Sequence, residues 1–165
     1  MNTNICSIDD SLGVDIKLID GVPQWSARGA DSFSPFKAKT TITPSNFFVN
    51  GVFGDGANYF KINLQNNTFS IQNNAIRVIG NSGQSGLCFL FYLDGTYKTL
   101  KYKASCNIST RTYLVDCKDG SYTTQWDGSS FDISYDISQL RGMFILQDGC
   151  ANNERNGYIY EIQLL

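Results

Sequence analysis

Two hydrophobic patterns meet in the middle of the chain. Leu87–Leu93 is an unbroken apolar run, too short to span a membrane and typical of a strand covered on both faces. An Asp-Gly dipeptide follows, which suits the positive φ of a tight hairpin turn. Residues 98–106 alternate, which predicts one face toward a core and most of the other in water. The predicted core face holds Lys98, Leu100, Tyr102, Ala104 and Cys106, and the other face holds Tyr97, Thr99, Lys101, Lys103 and Ser105. Such a pair of strands is typical of the middle of a β-sandwich.

The same period of two predicts nine to ten strands in the chain, with no long helix and no repeat. Turns are expected at residues 107–110, 118–120 and 127–128, and a polar loop from Asp148 to Gly157. Residues 59–64 and 68–71 are expected to pair with each other. Several short strands with regular turn signals predict an all-β sandwich or barrel. The other strands are predicted at Val14–Ile19, Phe36–Ile42, Ala75–Ile79, Tyr113–Cys117, Tyr122–Trp126, Phe131–Ile137, Met143–Leu146 and Gly157–Leu165.

Composition fits one globular domain. The 165 residues are 42% hydrophobic and only 17% charged, with a net charge of −2. No basic stripe exists, so nucleic acid and anionic membrane surfaces are not expected partners. No apolar run reaches the ~20 residues of a membrane span, so no membrane insertion is expected. The first residues lack the features of a signal peptide, so either an export signal has been removed or none is used.

Cysteine and histidine usage narrows the chemistry. The chain has five cysteines and no histidine, which excludes a Ser-His-Asp triad and argues against a zinc site. Cys106 and Cys117 could pair across a hairpin, but reduced thiols in a protein assembled in a cytoplasm are favoured. Paired carboxylates could serve a glycosidase, yet the acidic residues are scattered over turns. We expect no enzyme.

The N-terminal region differs from the rest. Residues 1–34 are predicted to form an arm with a first strand and a long irregular segment, and residues 35–165 the sandwich. An irregular segment of this length covers or binds something, and the arm could reach a neighbouring subunit.

The order of strands from residue 86 onward resembles the galactose-binding-like jelly rolls found in many carbohydrate-binding modules. The resemblance rests on Tyr97–Ala104, Tyr113–Cys117, the segment FDISYDISQLRG, the apolar Met143–Leu146 and the closing GYIYEIQL. It implies an all-β jelly-roll β-sandwich of two antiparallel sheets, galactose-binding-domain-like. Similar modules occur in bacteriophage tail fibres, baseplates and capsid decorations, which implies a virion protein.

Sugar binding needs an exposed aromatic face together with amide or guanidinium groups for the hydroxyls. Packing at the core or rim competes with this role for Trp126, and covering the sandwich edge competes with it for Trp25. Asn-rich loops also serve simply as turns. The candidate glycan-binding residues are Trp126, Tyr122, Asn152, Asn153, Arg155 and Trp25.

Related jelly rolls often carry a structural calcium ion. The resemblance implies Glu161 on the last strand and Asp20 near the first as its ligands; the alternative is that Glu161 is an outward-facing strand residue. No other cofactor is expected.

These features predict a non-catalytic accessory module of a phage tail or capsid that binds host-surface glycan. Its partners would be other virion proteins or its own copies, and it would lie in the virion after assembly in the host cytoplasm. A purely structural cement protein without a sugar site is one alternative. The other is an extracellular carbohydrate-binding module of a secreted glycan-degrading enzyme.

Overall fold

The computed structural model describes residues 3–4, 14–19, 22–27, 34–35, 48–49, 51–53, 58–62, 67–80, 86–150 and 155–165. Within these ranges the chain forms fourteen β-strands and no helix, and so no helix there could cross a membrane. The strands are β1 Thr3–Asn4, β2 Val14–Ile19, β3 Val22–Ala27, β4 Ser34–Pro35, β5 Phe48–Val49, β6 Val52–Phe53, β7 Asn58–Ile62, β8 Asn67–Gln72, β9 Ala75–Gly80, β10 Gly86–Leu93, β11 Thr99–Asp116, β12 Tyr122–Asp136, β13 Gly142–Cys150 and β14 Arg155–Leu164.

Ten of the described strands form one curled antiparallel sheet that makes two layers. Its order is β6-β5-β14-β11-β13-β10-β7, with β12 on β11, β9 on β14 and β8 on β9. The first half of β11 pairs with β14, and its second half pairs with β13. Strand β12 follows β11 along both halves. Layer one therefore holds β14, β9, β8, β5 and β6, layer two holds β13, β10 and β7, and the two long strands belong to both.

The main core lies between the two layers. Leu100, Tyr102 and Ile159 from layer one pack with Phe89 and Leu146 from layer two in a single buried cluster. Burial of this much apolar surface is the dominant favourable term in folding. The alternation is confirmed from Leu100 to Ala104, because Leu100 and Tyr102 are each 1% exposed while Lys101 and Lys103 are exposed. It is wrong at its start, where Lys98 is exposed and Tyr97 is in the core.

Layer two is also covered on its outward face. Cys88 and Leu90 on β10 and Ile145 on β13 point away from the main core, yet all three are buried. The prediction that residues 87–93 are covered on both faces is confirmed, and residues 143–146 are buried in the same way. The outward face of layer one has no such burial along β11.

The predicted hairpin between β10 and β11 is wrong. Strand β10 pairs with β7 and β13, so the chain crosses from layer two to layer one at Asp94-Gly95. Gly95 has φ +90°, and a Cβ there would meet the guanidinium of Arg141. An Asp-Gly dipeptide supplies a positive φ to any tight turn, and it does not decide whether the strands on either side pair.

Strands β11 and β12 are each longer than the sequence suggests. The turns expected at residues 107–110 and 127–128 are instead irregularities within a continuous ladder, between the pairs Ser105–Ser130 and Thr110–Gly128. A bulge of this kind bends a strand without ending it, so the β11–β12 hairpin runs through both layers. The hairpin turn predicted at residues 118–120 is confirmed.

The partner expected for β8 is also wrong. Strand β8 pairs with β9, and β7 pairs with β10. The β8–β9 hairpin closes through Asn73 and Asn74, whose φ angles are 51° and 60°. Asparagine is among the few non-glycine residues that tolerate the two positive φ values of this tight turn.

The described N-terminal strands form a separate four-stranded sheet in the order β1-β2-β3-β4. The strand predicted at Val14–Ile19 is confirmed with the same limits. The stretch around Trp25, expected to be irregular, pairs with β2 as β3 over its described part. The strand predicted at residues 36–42 lies outside the described residues. The division at residues 34–35 stays a prediction.

A buried ion pair lies where a polar loop was expected. Asp148 is in β13 and Arg155 begins β14, and both side chains are 2% exposed. Arg155 Nη2 donates to Asp148 Oδ2 at 2.6 Å, and the Tyr102 hydroxyl donates to Asp148 Oδ1. The expected loop is therefore shorter, because β13 and β14 extend into it.

Cys88, Cys106 and Cys117 are thiols. The alternative disulfide between Cys106 and Cys117 is therefore wrong. Cys106 lies within β11, whereas Cys117 lies in the turn that follows β11.

Candidate functional site

The outward face of layer one carries the candidate site. In a strand, successive side chains point to opposite faces of the sheet. The sequence neighbours of the core residues Ile159 and Leu100 therefore face away from the core and lie on one surface. Antiparallel pairing sets Ser105 opposite Tyr158, and Tyr158 opposite Arg77. These three residues therefore form a row across three strands. We call this surface the open face.

Two tyrosines of β14 lie at the centre of the open face. The rings of Tyr158 and Tyr160 are 6.3 Å apart between centroids and 16° from parallel. Tyr160 is 40% exposed, and its hydroxyl lies 2.9 Å from Ser105 Oγ. Tyr158 and Tyr160 flank the buried Ile159, so strand alternation puts both rings on the same face. The register shift between Lys103 and Ala104 leaves Tyr160 as an extra residue on β14.

Planar polar groups border the two rings. Arg77 Nε donates to Asn156 Oδ1 at 3.2 Å, and Arg77 Nη1 donates to Gln72 Oε1 at 3.3 Å. The backbone N–H of Asn156 donates to Asn107 Oδ1 at 2.7 Å. A guanidinium held between two amide groups offers fixed donors beside an aromatic surface.

A shallow cavity of about 240 Å³ continues the open face toward β12. Lys103 is paired with Glu161 on one side and with Asp132 on the other, where its Nζ lies 3.8 Å from Asp132 Oδ2. Both members of that ion pair are largely exposed, so the pair is screened by water. The cavity is lined by Lys101, Tyr102, Lys103, Asp132, Ile133, Ser134 and Glu161.

This arrangement suits binding to a polyhydroxylated ligand. The two rings present apolar faces of the size of a sugar ring, and the surrounding amide, hydroxyl, ammonium and carboxylate groups supply both donors and acceptors. The surface is shallow and wet. We expect weak recognition by stacking and hydrogen bonding rather than enclosure.

Trp126 faces inward. It is opposite the buried Thr112 and packs edge-on against Tyr135, with ring centroids 5.5 Å apart. Both aromatic side chains are partly buried against the main core. The rim-packing alternative raised for Trp126 therefore describes its position, and it closes the edge of the sandwich at β12.

Tyr122 lies on the surface as expected, with 63% of its area exposed. It is on the outward face of layer two and stacks on Tyr113. The structure therefore places Tyr122 and Trp126 on opposite faces of β12 and does not bring them together.

Arg155 has a different position from the one expected. The sequence places it in an exposed polar loop, whereas its guanidinium is buried and paired with Asp148. A side chain that is 2% exposed has no surface to offer a sugar. Asn152 and Asn153 lie outside the described residues, and only the backbone of Trp25 is described.

The calcium prediction is untested. Asp20 lies outside the described residues, and Glu161 shares its cavity with Lys101 and Lys103, whose positive charges oppose a cation there. Among the described residues, no three His, Cys, Asp or Glu side chains lie close enough together to hold a metal ion.

Sequence reasoning missed the residues of the open face. A signal for some of them exists, because Tyr158 and Tyr160 flank Ile159, and Arg77 separates Ile76 from Val78. Period two puts such residues opposite the core. No local signal shows that β9 lies beside β14, since 75 or more residues separate the paired positions.

Comparison with known proteins bears on the architecture. No protein-family model matches the chain, and no curated protein matches it. A solved structure of a lysine-to-alanine variant of a family 29 carbohydrate-binding module is similar, with a TM-score of 0.50 over 75% of this chain and 92% of that one, at 14% identity. The fold is a jelly-roll β-sandwich. The predicted fold class is confirmed.

Two further solved structures have lower TM-scores. A family 29 carbohydrate-binding module from Piromyces equi has a TM-score of 0.37 and 14% identity, covering 64% of this chain and 88% of that one. A glycoside hydrolase family 43 arabinoxylan arabinofuranohydrolase from Bacillus subtilis has a TM-score of 0.35 and 12% identity, covering 99% of this chain and 41% of that one. At 14% identity, the likeness to the lysine-to-alanine variant describes the fold alone.

Proposed function

We propose that this protein is a non-catalytic carbohydrate-binding module that binds a neutral glycan on its open face. The observation that carries the proposal is the pair of near-parallel rings of Tyr158 and Tyr160 beside the guanidinium of Arg77 on the exposed side of layer one. A structurally similar protein is itself a carbohydrate-binding module, solved to probe ligand recognition. Two observations support a non-catalytic role. The chain has no histidine, and the acidic groups of the open face lie beside lysines.

Charge balance on the open face favours a neutral ligand. Lys101, Lys103 and Arg77 are offset by Asp132 and Glu161, so no field of one sign covers the surface. A polyanionic glycan would place its carboxylates or sulfates against those two acidic groups. A neutral glycan makes hydrogen bonds with both kinds of group.

Affinity at one such surface is expected to be weak, because a shallow site desolvates little of its ligand. Repeated sugar units along one chain, or several copies of the module, would raise the apparent affinity through effective concentration.

Affinity electrophoresis in gels containing soluble polysaccharides tests the proposal. Hydroxyethylcellulose and xylan serve as neutral probes, and polygalacturonate serves as the acidic one. We expect retardation by at least one neutral probe and little by the acidic one. Tyr160→Ala removes an exposed ring and is expected to weaken binding at least about tenfold, the equivalent of about 1.4 kcal/mol.

Ile71→Ala is the matched control. Ile71 is 47% exposed on β8 and pairs with the core residue Ile76, so it does not face the tyrosines. The control should bind like the wild type. Equal binding by Tyr160→Ala and the wild type would contradict the open-face site. Retention by the acidic probe alone would contradict the neutral class.

The setting of the module stays a prediction. The similar structures include carbohydrate-binding modules, which supports the alternative of a module belonging to a glycan-degrading enzyme. No comparison bears on a bacteriophage, so the virion role, its partners and its location rest on the sequence resemblance. Neighbouring genes would separate the two settings, since capsid and tail genes favour one and polysaccharide-degrading enzymes the other.

A further inference from the structure

A second exposed aromatic group lies away from the open face. Tyr122, at the start of β12, stacks on Tyr113 with ring centroids 4.6 Å apart and planes 22° from parallel. Tyr113 is nearly buried and Tyr122 is 63% exposed, so one ring supports the other from below. A ring held in this way presents a fixed face to solvent, which reduces the ordering cost of binding.

Polar groups are held beside this ring. Arg111 Nε lies 3.0 Å from Asp127 Oδ1, and Gln125 Nε2 donates to Asp127 Oδ2 at 2.8 Å. Asp127 therefore orients both a guanidinium and an amide. Register places Arg111 opposite Asp127, and Tyr113 opposite Gln125. Directly opposed residues share a face, so ring, amide and guanidinium follow one another along the strand pair.

This group belongs to the outward face of layer two. Tyr122 is opposite Val115, which like Cys88 and Ile145 points away from the main core. Those three side chains are buried, while Tyr122, Gln125 and Asp127 are exposed at the edge strand β12. The outward faces of two stacked layers point in opposite directions. The Tyr122 group and the open face are thus on opposite sides of the molecule.

We propose that the Tyr122 group is a second sugar-binding site and that one molecule bridges two glycan chains. The exposed ring stacks on a pyranose, while Arg111 and Gln125 donate to its hydroxyls and Asp127 accepts. The inference rests on the proposed function, since it assigns the same ligand class to both surfaces. Bridging adds an activity that a single open face lacks: cross-linking of polysaccharide.

Two measurements test it. Titration calorimetry with a short oligosaccharide of the polysaccharide retained in gels gives the number of sites per chain. Turbidity of mixtures with the polysaccharide reports cross-linking, and sedimentation establishes that the protein is monomeric in the assay. We expect two sites and turbidity for the wild type. Tyr122→Ala and Tyr160→Ala should each leave one site and no turbidity.

Gln125→Ala supplies a second test at the Tyr122 site with less risk to folding. It is expected to weaken one of the two sites several-fold and leave the other unchanged. One site in the wild type, lost in Tyr160→Ala and unchanged in Tyr122→Ala, would overturn the second site and keep the proposed function. Two sites that both persist in Tyr122→Ala would overturn it as well. No binding by any variant or the wild type would overturn both proposals.

Discussion

At the scale of single residues, a pair of opposite charges is buried in the interior. Arg155 and Asp148 are buried together, and Tyr102 donates to the same carboxylate. Burial alone disfavours the charged guanidinium, but Asp148 and Tyr102 outweigh it and raise the pKa of Arg155 above its usual range. Such a pair is stable only while both charges are present. It also fixes the start of β14, which carries the tyrosines of the open face.

Replacing Arg155 by leucine should lower the free energy of unfolding by about 3–5 kcal/mol, because Asp148 is left as an uncompensated buried charge. Urea denaturation followed by tryptophan fluorescence measures the change. The double variant Arg155→Leu with Asp148→Leu should recover part of the loss. Arg111→Ala, which breaks an exposed ion pair, should have little effect. A small loss for Arg155→Leu would contradict the burial of this pair.

Tyr102 predicts a specific alkaline sensitivity. Burial, and then the neighbouring Asp148 carboxylate, raise the pKa of Tyr102 well above its ordinary value of 10.0. As pH rises past 10, the unfolded chain therefore releases this proton and the folded chain does not. The stability contributed by Tyr102 is complete below pH 10 and is lost above it.

Between pH 10 and 11, the wild type should accordingly lose up to about 1.4 kcal/mol per pH unit more than Tyr102→Phe does. Denaturant titrations of both proteins at each pH give the two slopes, and their difference removes the contribution of the other tyrosines and lysines. Equal slopes would show that the Tyr102 phenol is not protected in the folded state.

At the scale of strands and turns, period two was the reliable signal. It located β2 and the cores of β9 and β14, while unbroken apolar runs located those of β10 and β13. The pairing of strands was not predicted, because the hydrogen bonds between β9 and β14 and between β10 and β13 join distant parts of the chain. The bulges in β11 and β12 were read as turns, since Asn, Ser and Gly supply the same local signal for a bulge and a chain reversal.

The β8–β9 turn predicts opposite effects for two substitutions at Asn74. Its φ of 60° suits Asn or Gly but strains a β-branched residue. Asn74→Val should lower the free energy of unfolding by about 1–2 kcal/mol, while Asn74→Gly should leave it unchanged or raise it. Thermal denaturation of the two variants checks this. Equal melting temperatures would argue against a left-handed residue at this turn.

At the scale of the whole molecule, burial differs among the three described cysteines. Cys88 on the covered face of layer two and Cys117 after β11 are 0% exposed, whereas Cys106 near the bulge of β11 is half-buried. Side chains on a covered face react only through opening of the structure.

Alkylation of the native protein should therefore modify Cys106 before Cys88 and Cys117. We expect Cys88 and Cys117 to react at least about 100-fold more slowly, with a rate that rises steeply in denaturant. Mass spectrometry of the peptides assigns each modified thiol, which keeps Cys6 and Cys150 separate. Early modification of Cys88 would contradict the cover over layer two.

The sequence by itself determined that this chain is an all-β sandwich, because alternation of apolar and polar side chains is a local property that each strand carries on its own. It also determined that Leu100 and Tyr102 face a core, and that a histidine-based catalytic site is absent. Only the tertiary structure decided which strands are neighbours. It joined Arg77 to Tyr158 in one surface, moved Arg155 into the core and turned Trp126 inward, because contacts between distant segments depend on how the two layers close.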